Sequence, residues 1–455
     1  MQQLTPVALY GQDFDYATYT SGGGGDLGGT FANVFVLIAP VTKVRFLFKN
    51  YSLTGGGEVI TGLSTVTVQA SVQAVADTGT PVQLTFGGQN SVTIAPGEQT
   101  WSDFVALTGV VGQQIGQRTF VQVPSTGVFP RMLNSTSGGA DGTTGLTATS
   151  GSNYAQYTSG NGSNQILTAG AVSTWRSQQF APGYGAERME GIFSDNITRP
   201  IIGGAGDGTL DGIADDQGYG GYFRRLMYAL NLPYILVAQQ GENLASIYQG
   251  NTYGQRFNAI LDSTAIVWNY GAYDFNGGVS SATQIARSLS IWQKLAAKGA
   301  SIIPATVCPR PSYTGNIYPV SQQTASTANA QIQAYNAWLR APASAGTGNS
   351  AIYDARAVGV NIPFIFDIAS YVETNASNAI PGGPSAPYTA GLWYCGPGNN
   401  AAYSDGINPN TLAVKTLLLP VLKPFAPALL ATAAQQQGLP TMFSPSINAA
   451  PPLSF

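Results

Sequence analysis

The sequence predicts two folded regions of different class. Residues 1–133 are predicted to form an all-β sandwich or jelly roll, and residues 185–436 an α/β domain with a parallel sheet. The first region alternates apolar and polar residues with the two-residue period of a half-buried strand. The second alternates short apolar strands with amphipathic helices, which is typical of a parallel sheet. Residues 134–184 are rich in Gly, Ser and Thr, so we interpret them as a loop or linker.

Short strands separated by turn signals fill the first region. Apolar and polar residues alternate in residues 66–72, 82–86 and 92–94, and residues 35–38 and 44–48 are denser apolar runs. Gly- and Pro-rich turns lie between these runs. Many short strands at near-regular spacing favour a two-sheet β fold.

The second region repeats a strand–helix pattern up to a proline-rich end. The expected elements are strand 189–193, helix 221–230, strand 234–238, strand 263–268, helix 281–298, strand 301–307, helix 325–339, strand 351–354 and closing helix 412–430. Pro420, Pro424 and Pro427 must kink or end the closing helix. The tail, residues 437–455, carries four prolines and is expected to be extended.

Composition excludes several classes of function. Charged residues are only 9% of the chain and the net charge is −3, so no basic footprint for nucleic acid is present. No apolar run is long and unbroken enough to span a bilayer, and the start has no secretory pattern. No cofactor is expected. A surface rich in hydroxyl and amide groups, without an export signal, is typical of a phage virion protein. A mature secreted or cell-surface protein is the alternative.

One stretch near the end carries a resemblance to a known family. Asp405-Gly406-Ile407-Asn408-Pro409-Asn410 resembles the last block of the SGNH (GDSL-type) esterases and lipases, Asp-Gly-x-His-Pro-Asn. The family's His is its general base. Asn408 stands in that place, and the chain contains no histidine at all.

Three earlier blocks extend the resemblance over residues 185–430. Ser194-Asp195-Asn196-Ile197-Thr198 resembles Gly-Asp-Ser-x-Thr, with Asn196 at the nucleophile position. Gly271-Ala272-Tyr273-Asp274 resembles Gly-x-Asn-Asp, with Tyr273 in place of the oxyanion Asn. For the block with the oxyanion glycine, either Gly241 supplies that residue or Asn243 replaces it.

The resemblance implies a flavodoxin-like three-layer domain whose acyl-transfer chemistry has been lost. A serine needs an adjacent base to become nucleophilic, and an amide cannot act as that base. We therefore expect no enzyme activity. The alternative is an active carbohydrate esterase or glycan hydrolase with substituted residues, for which Asp195, Glu242, Asp274 and Asp405 are the available carboxylates.

Aromatic residues near the family blocks suggest a ligand site. Aromatic rings beside amides suit a sugar, but the same rings also suit a site packed shut; the candidates are Tyr270, Tyr273, Phe275, Trp393, Tyr394 and Tyr403. Asp207, Asp211 and Asp215 share a Gly-rich stretch and are candidate Ca²⁺ ligands, although a solvated acidic loop fits equally. Cys308 and Cys395 are either bridged or free.

Together these features predict a structural or attachment function. The chain is predicted to be a catalytically inactive structural or attachment protein, a phage capsid-decoration, fibre or tail component. Its expected partners are other virion subunits, including copies of itself, and a host-surface polysaccharide. A secreted bacterial surface-binding module is the competing hypothesis.

Overall fold

The fold is taken from a computed structural model. It describes residues 5–6, 17–20, 28–54, 57–124, 127–131, 156–157, 164–170, 184–195, 199–212, 221–230, 232–245, 254–313, 323–324, 326–373, 409 and 413–436.

The strands of the described residues follow the chain in order. They are β1 Thr5–Pro6, β2 Ala17–Thr20, β3 Gly28–Val36, β4 Val41–Lys49, β5 Ser52–Thr54, β6 Gly57–Val59, β7 Val66–Ala74, β8 Val82–Gln83, β9 Val92–Ile94, β10 Gln99–Trp101, β11 Val105–Gly109, β12 Gln114–Gln122, β13 Val128–Arg131, β14 Gln156–Tyr157, β15 Arg188–Phe193, β16 Ile202–Gly206, β17 Tyr234–Leu236, β18 Ala265–Asn269, β19 Ser301–Pro304, β20 Ser312–Tyr313 and β21 Gln323–Thr324.

Two antiparallel sheets form the first region, as the alternating pattern predicts. One sheet has the order β1-β15-β4-β10, with β11 also paired to β4, and the other has the order β14-β3-β12-β7-β8, with β9 paired to β7. Their inner faces meet in a shared apolar core. Phe35 of β3 and Phe46 of β4 contact edge to face, with ring centroids 5.6 Å apart. The predicted β sandwich is therefore confirmed.

A buried arginine fastens residues 164–170 to the second sheet. Arg118 of β12 is fully buried and donates to the carbonyl oxygens of Thr168, at 2.6 Å, and of Gly170. Ser71 donates to the carbonyl of Ile166 at 2.6 Å. This end of the predicted linker is thus part of the folded β region.

One predicted strand belongs to a different sheet from the one expected. Residues 189–193 were expected to open the parallel sheet, but β15 pairs antiparallel with β4, with Met189 opposite Phe46. The expectation was wrong because every residue of β15 is buried. A strand covered on both faces shows the continuous apolar pattern that is otherwise typical of parallel sheets.

The second region contains a four-stranded parallel sheet of order β17-β16-β18-β19. Its helices in the described residues are α1 Gly208–Asp211, α2 Gly221–Leu230, α3 Gln255–Ile260, α4 Ala272–Asn276, α5 Ser281–Ala296, α6 Thr327–Arg340, α7 Ala351–Ala357, α8 Ala369–Val372, α9 Leu419–Leu422 and α10 Ala426–Gln436.

The parallel sheet is the middle of three layers. Val267 of β18 faces an apolar cluster that includes Leu226 of α2 and Leu422 of α9. Ile266, on the opposite face, belongs to a second cluster with Trp292 of α5 and Trp338 of α6. The predicted α/β architecture, including the helices at 221–230, 281–298 and 325–339, is confirmed within one to two residues at each end.

Residues 351–354, predicted as the last strand, are helical. Ser350 caps α7 by accepting a hydrogen bond from the amide of Tyr353, which favours a helix start over a strand. The fifth position of the sheet is instead marked by a single parallel bridge between Ala305 and Phe366.

The proline-rich closing helix is broken, as predicted. A π-helical segment, Ala413–Leu418, leads into α9, and a 3₁₀ turn, Lys423–Phe425, separates α9 from α10. Pro420 and Pro424 lie at the starts of these pieces, where a missing amide is tolerated.

Among the described residues, no helix combines the length and apolar character needed to cross a membrane.

Candidate functional site

The carboxyl ends of the parallel strands form the candidate site. Ligands of open α/β sheets bind at this edge. Strand β16 ends at Gly206, and the next residue, Asp207, caps helix α1. Strand β18 ends at Asn269 and leads into the turn before α4.

Asp207 is the central residue of this edge. It is 1% exposed, and its two carboxylate oxygens accept hydrogen bonds from the amides of Thr209 and Ala272, both at 3.0 Å. Burial raises the pKa of Asp207 to about 6, against the opposing effect of these bonds. Asp274 raises this pKa further, whereas Arg310 lowers it. The carboxylate therefore joins two turns of the site.

Asp207 offers a second alignment for the first block of the family resemblance. Gly206 is the last residue of the first parallel strand, and Asp207 and Gly208 follow it; a Gly-Asp-Ser block aligned to this strand end would place its serine at Gly208. The strand before Asn196 lies in the antiparallel sheet, so Asn196 does not follow a strand of the parallel sheet as the resemblance implied. Asn196 itself lies outside the described residues.

The turn after β17 contains both candidates for the oxyanion position. Gly241 has a left-handed φ of 77°, a conformation that favours glycine. Asn243 is half-buried two residues later. Asp274 holds this turn in place, since its carboxylate oxygens accept from the amide of Leu244 at 2.9 and 3.0 Å. Burial raises the pKa of Asp274 as well.

The Gly271–Asp274 turn carries a tyrosine beneath an arginine. The Arg310 guanidinium lies 5.0 Å from the centroid of the Tyr273 ring. Arg310 also donates to the carbonyl oxygen of Ala272 at 2.6 Å. Tyr273 is half-buried, so it retains access to solvent.

Two predicted ligand-binding aromatics are core residues instead. Tyr270 is 1% exposed and donates to the carboxylate of Glu242 at 2.9 Å. Phe275 is 2% exposed and packs against Tyr335. Of the candidate aromatics that the structure describes, only Tyr273 keeps a partly open surface; the remaining candidates, Trp393, Tyr394 and Tyr403, lie outside the described residues.

The carboxylates proposed for a metal or for glycoside cleavage are engaged separately. Asp211 forms an ion pair with Arg224 at 3.0 Å, and Asp195 one with Arg199 at 2.7 Å. The described residues contain no group of three His, Cys, Asp or Glu side chains that could hold a metal ion. Asp215, Asp405 and Asn408 lie outside those residues.

Sequence reasoning did not identify a second set of buried groups at this edge. Cys308 is a free, buried thiol whose pKa is raised by burial and then by Asp207 and Glu373; Cys395 lies outside the described residues. Burial also raises the pKa of Glu373 to about 7. The buried hydroxyl of Tyr222 has no hydrogen-bond partner in the described part of the chain, and its pKa is raised mainly by burial. No spacing in the sequence predicts that Cys308 and Glu373 come together; the topology of the fold does this.

Among the described residues, this edge of the sheet holds buried acids and backbone amides. Gly208 has no hydroxyl, and the chain has no imidazole to activate one. The neutral, buried thiol of Cys308 is a poor nucleophile, because the thiolate is the reactive form.

Comparison with known proteins returned structures of lipolytic enzymes. A candidate GDSL-like lipase from Bacteroides ovatus is 12% identical and has a TM-score of 0.32; the match covers 92% of this chain and 86% of that one. A member of the lipolytic G-D-S-L family from Veillonella parvula is 13% identical with a TM-score of 0.33, over 50% and 97% of the chains. TesA is 16% identical with a TM-score of 0.30, over 50% and 98%. Such distant likenesses say nothing about activity.

Neither a model of a protein family nor a curated protein sequence matches the chain.

Proposed function

We propose that this chain is a non-catalytic structural or attachment protein built on an SGNH-type scaffold. The observation that carries the proposal is Gly208, which follows Asp207 at the end of the first parallel strand. A glycine there removes the hydroxyl that acyl transfer requires. The absence of histidine from the whole chain removes the usual base as well.

The carboxylates near this edge support the same conclusion. Asp207 and Asp274 both accept backbone amides, and Glu242 accepts the hydroxyl of Tyr270. A general acid or base must reach the proton it transfers. These groups are engaged in holding turns together, which is a structural role.

The attachment role is proposed for a phage virion. A low content of charge and a surface rich in hydroxyl and amide groups suit a protein exposed outside the cell. The β sandwich and the α/β region share one apolar cluster, which would let a single rigid unit be displayed on a particle. A host-surface polysaccharide is the proposed ligand.

Localisation tests this role. Gold-labelled antibody against the chain would be applied to purified phage particles and to whole cells of the source. We expect label in a regular array on the particles. Labelled cell envelopes with bare particles would contradict the virion role and favour a bacterial surface-binding module.

A further inference from the structure

A cation–aromatic face lies on the outer side of the first β sheet. The cation–aromatic face consists of two residues of β4, one of β10, one between β10 and β11, and one of β15: Lys43, Arg45, Trp101, Phe104 and Arg188, in that order. The Arg45 guanidinium lies 4.3 Å from the Trp101 ring centroid and 5.3 Å from that of Phe104. The Lys43 ammonium lies 4.9 Å from the Phe104 centroid, and the Arg188 guanidinium 5.6 Å from that of Trp101.

One carboxylate holds the two arginines of this face in place. Glu190 accepts from Arg45 at 2.7 Å and also pairs with Arg188. Arg45 uses its Nε and Nη2 atoms for this contact, and its Nη1 has no bond to a described residue. Arg188 also lies 3.4 Å from Asp262. Carboxylates therefore hold both guanidinium groups in place beside the rings.

Lys43 is the one cation of this face that no described carboxylate pairs with. It is exposed, and among the described residues it forms no salt bridge. The neighbouring Phe104 is 36% exposed. An unpaired ammonium beside an accessible ring offers one contact to an anion and one to an apolar surface. In a chain with only 19 basic residues, this convergence is distinctive.

We propose that the cation–aromatic face binds an acidic polysaccharide. Lys43 Nζ and Arg45 Nη1 would contact a carboxylate or sulfate group of the glycan, and the Phe104 ring would pack against the apolar face of a sugar. The inference deepens the proposed attachment role, on which it rests for the class of ligand. It also moves the glycan site from the parallel-sheet edge, where Tyr270 and Phe275 are buried, to the β sandwich.

The charge of the face favours an acidic glycan over nucleic acid. Glu190 and Asp262 neutralise two of the three positive charges of the face, so its net positive charge is small. Nucleic-acid binding relies on many phosphate contacts from a broad basic surface, and the chain as a whole carries a net charge of −3. A sugar chain with widely spaced anionic groups matches this small net positive charge better than a nucleic acid does.

Polysaccharide binding by the full chain tests the inference. Isothermal titration would use polygalacturonate as a carboxylate probe and dextran sulfate as a sulfate probe, with uncharged dextran and a single-stranded oligonucleotide beside them. We expect binding to at least one acidic polysaccharide, weakened by salt, and at least tenfold weaker binding in K43Q/F104A. The matched control, K298Q/Y353A, changes an exposed lysine and an exposed tyrosine of the α/β region and should bind like wild type.

Several results would overturn the inference. They are no binding of either acidic probe by wild type, equal binding by K43Q/F104A with an unchanged melting temperature, and tighter binding of the oligonucleotide through the same residues. None of these results affects gold labelling of particles, which tests the attachment role separately. Bare particles, conversely, would remove that role while leaving polysaccharide binding measurable.

Discussion

The carboxylate of Asp207 accepts a hydrogen bond from the backbone amide of Ala272 at 3.0 Å, across 65 residues of sequence. This bond joins the turn after β16 to the turn after β18, at the edge where open α/β sheets bind their ligands. The Asp207 side chain is buried, and its second oxygen is already used by Thr209. Both carboxylate oxygens of Asp207 are therefore used to hold the two turns together.

Replacing Asp207 by alanine should destabilise the chain strongly. D207A leaves the buried amides of Thr209 and Ala272 without their acceptor, and each unsatisfied donor costs about 1–3 kcal/mol. We expect a loss of about 3 kcal/mol in the free energy of unfolding, measured by urea denaturation. The control D77A removes an exposed carboxylate bonded to Gly79 and should cost less than about 1 kcal/mol. Equal effects would refute the joining role of Asp207.

Close packing at the end of β16 gives a second prediction. A Cβ on Gly206 would lie 2.7 Å from the carbonyl oxygen of Asn269 and 2.8 Å from Cβ of Leu210. Because backbone atoms cannot move aside cheaply, G206A should cost about 1–3 kcal/mol. Thermal unfolding would measure this cost. G79A, at an exposed turn whose nearest neighbour is the Asp77 side chain, should change the melting temperature little; a neutral G206A would contradict the packing described here.

Glycine content explains why the first parallel strand was not predicted. Strand β16 contains glycine at three of its five positions, so it lacks the β-branched residues that normally indicate a strand. Strand β15, by contrast, is buried at every position and ends in the apolar residues Ile192 and Phe193, and it was taken as the start of the parallel sheet. Sequence periodicity reports burial, but it cannot tell which sheet buries a strand.

The candidate site was predictable in its location and not in its inner contacts. Gly241 lies in the turn after β17 and Tyr273 lies just after β18, at the edge where open α/β sheets bind ligands. No spacing rule, however, brings Cys308 next to Glu373 or shows that Tyr270 points into the core. Such contacts depend on tertiary packing between turns far apart in the chain.

The buried arginine of the β sandwich gives a third prediction. Arg118 holds residues 164–170 through the carbonyls of Thr168 and Gly170, and burial lowers its pKa to about 10, so it stays charged at neutral pH. R118M should release this segment, because methionine has no donor for those carbonyls. Hydrogen exchange of peptides covering residues 164–170 should accelerate at least tenfold. R340M removes a half-exposed pair with Asp367 and should leave that exchange unchanged. Unchanged exchange in R118M would mean that other contacts hold the segment.

A buried acid predicts how stability depends on pH. Burial raises the pKa of Glu373 to about 7, against 4.5 as its ordinary value, with Asp367 adding to the rise while Gln333 and Arg340 oppose it. The folded state thus binds more protons than the unfolded state between these values. The free energy of unfolding should fall as the pH rises from about 4.5 to about 7, by about 3 kcal/mol from this group. Asp207, whose pKa burial raises to about 6, should also lower the free energy of unfolding as the pH rises.

The variant E373Q isolates that contribution. It keeps the acceptor for Gln333 but cannot ionise, so its stability should fall less steeply between pH 5 and pH 8, as measured by urea denaturation at each pH. E98Q, which changes an exposed carboxylate of the β sandwich, should follow the wild-type profile. Parallel curves for wild type and E373Q would show that Glu373 does not titrate in this range.

The most direct test of the central claim is a search for an acyl-transfer nucleophile. Wild-type protein would be incubated with an excess of a fluorophosphonate probe and analysed by intact mass, with hydrolysis of p-nitrophenyl acetate followed in parallel. Because we propose that Gly208 occupies the nucleophile position, and because the chain has no histidine, we predict an unchanged mass and a hydrolysis rate equal to that of buffer. Labelling of one residue per chain, together with saturable turnover that the probe abolishes, would contradict the account.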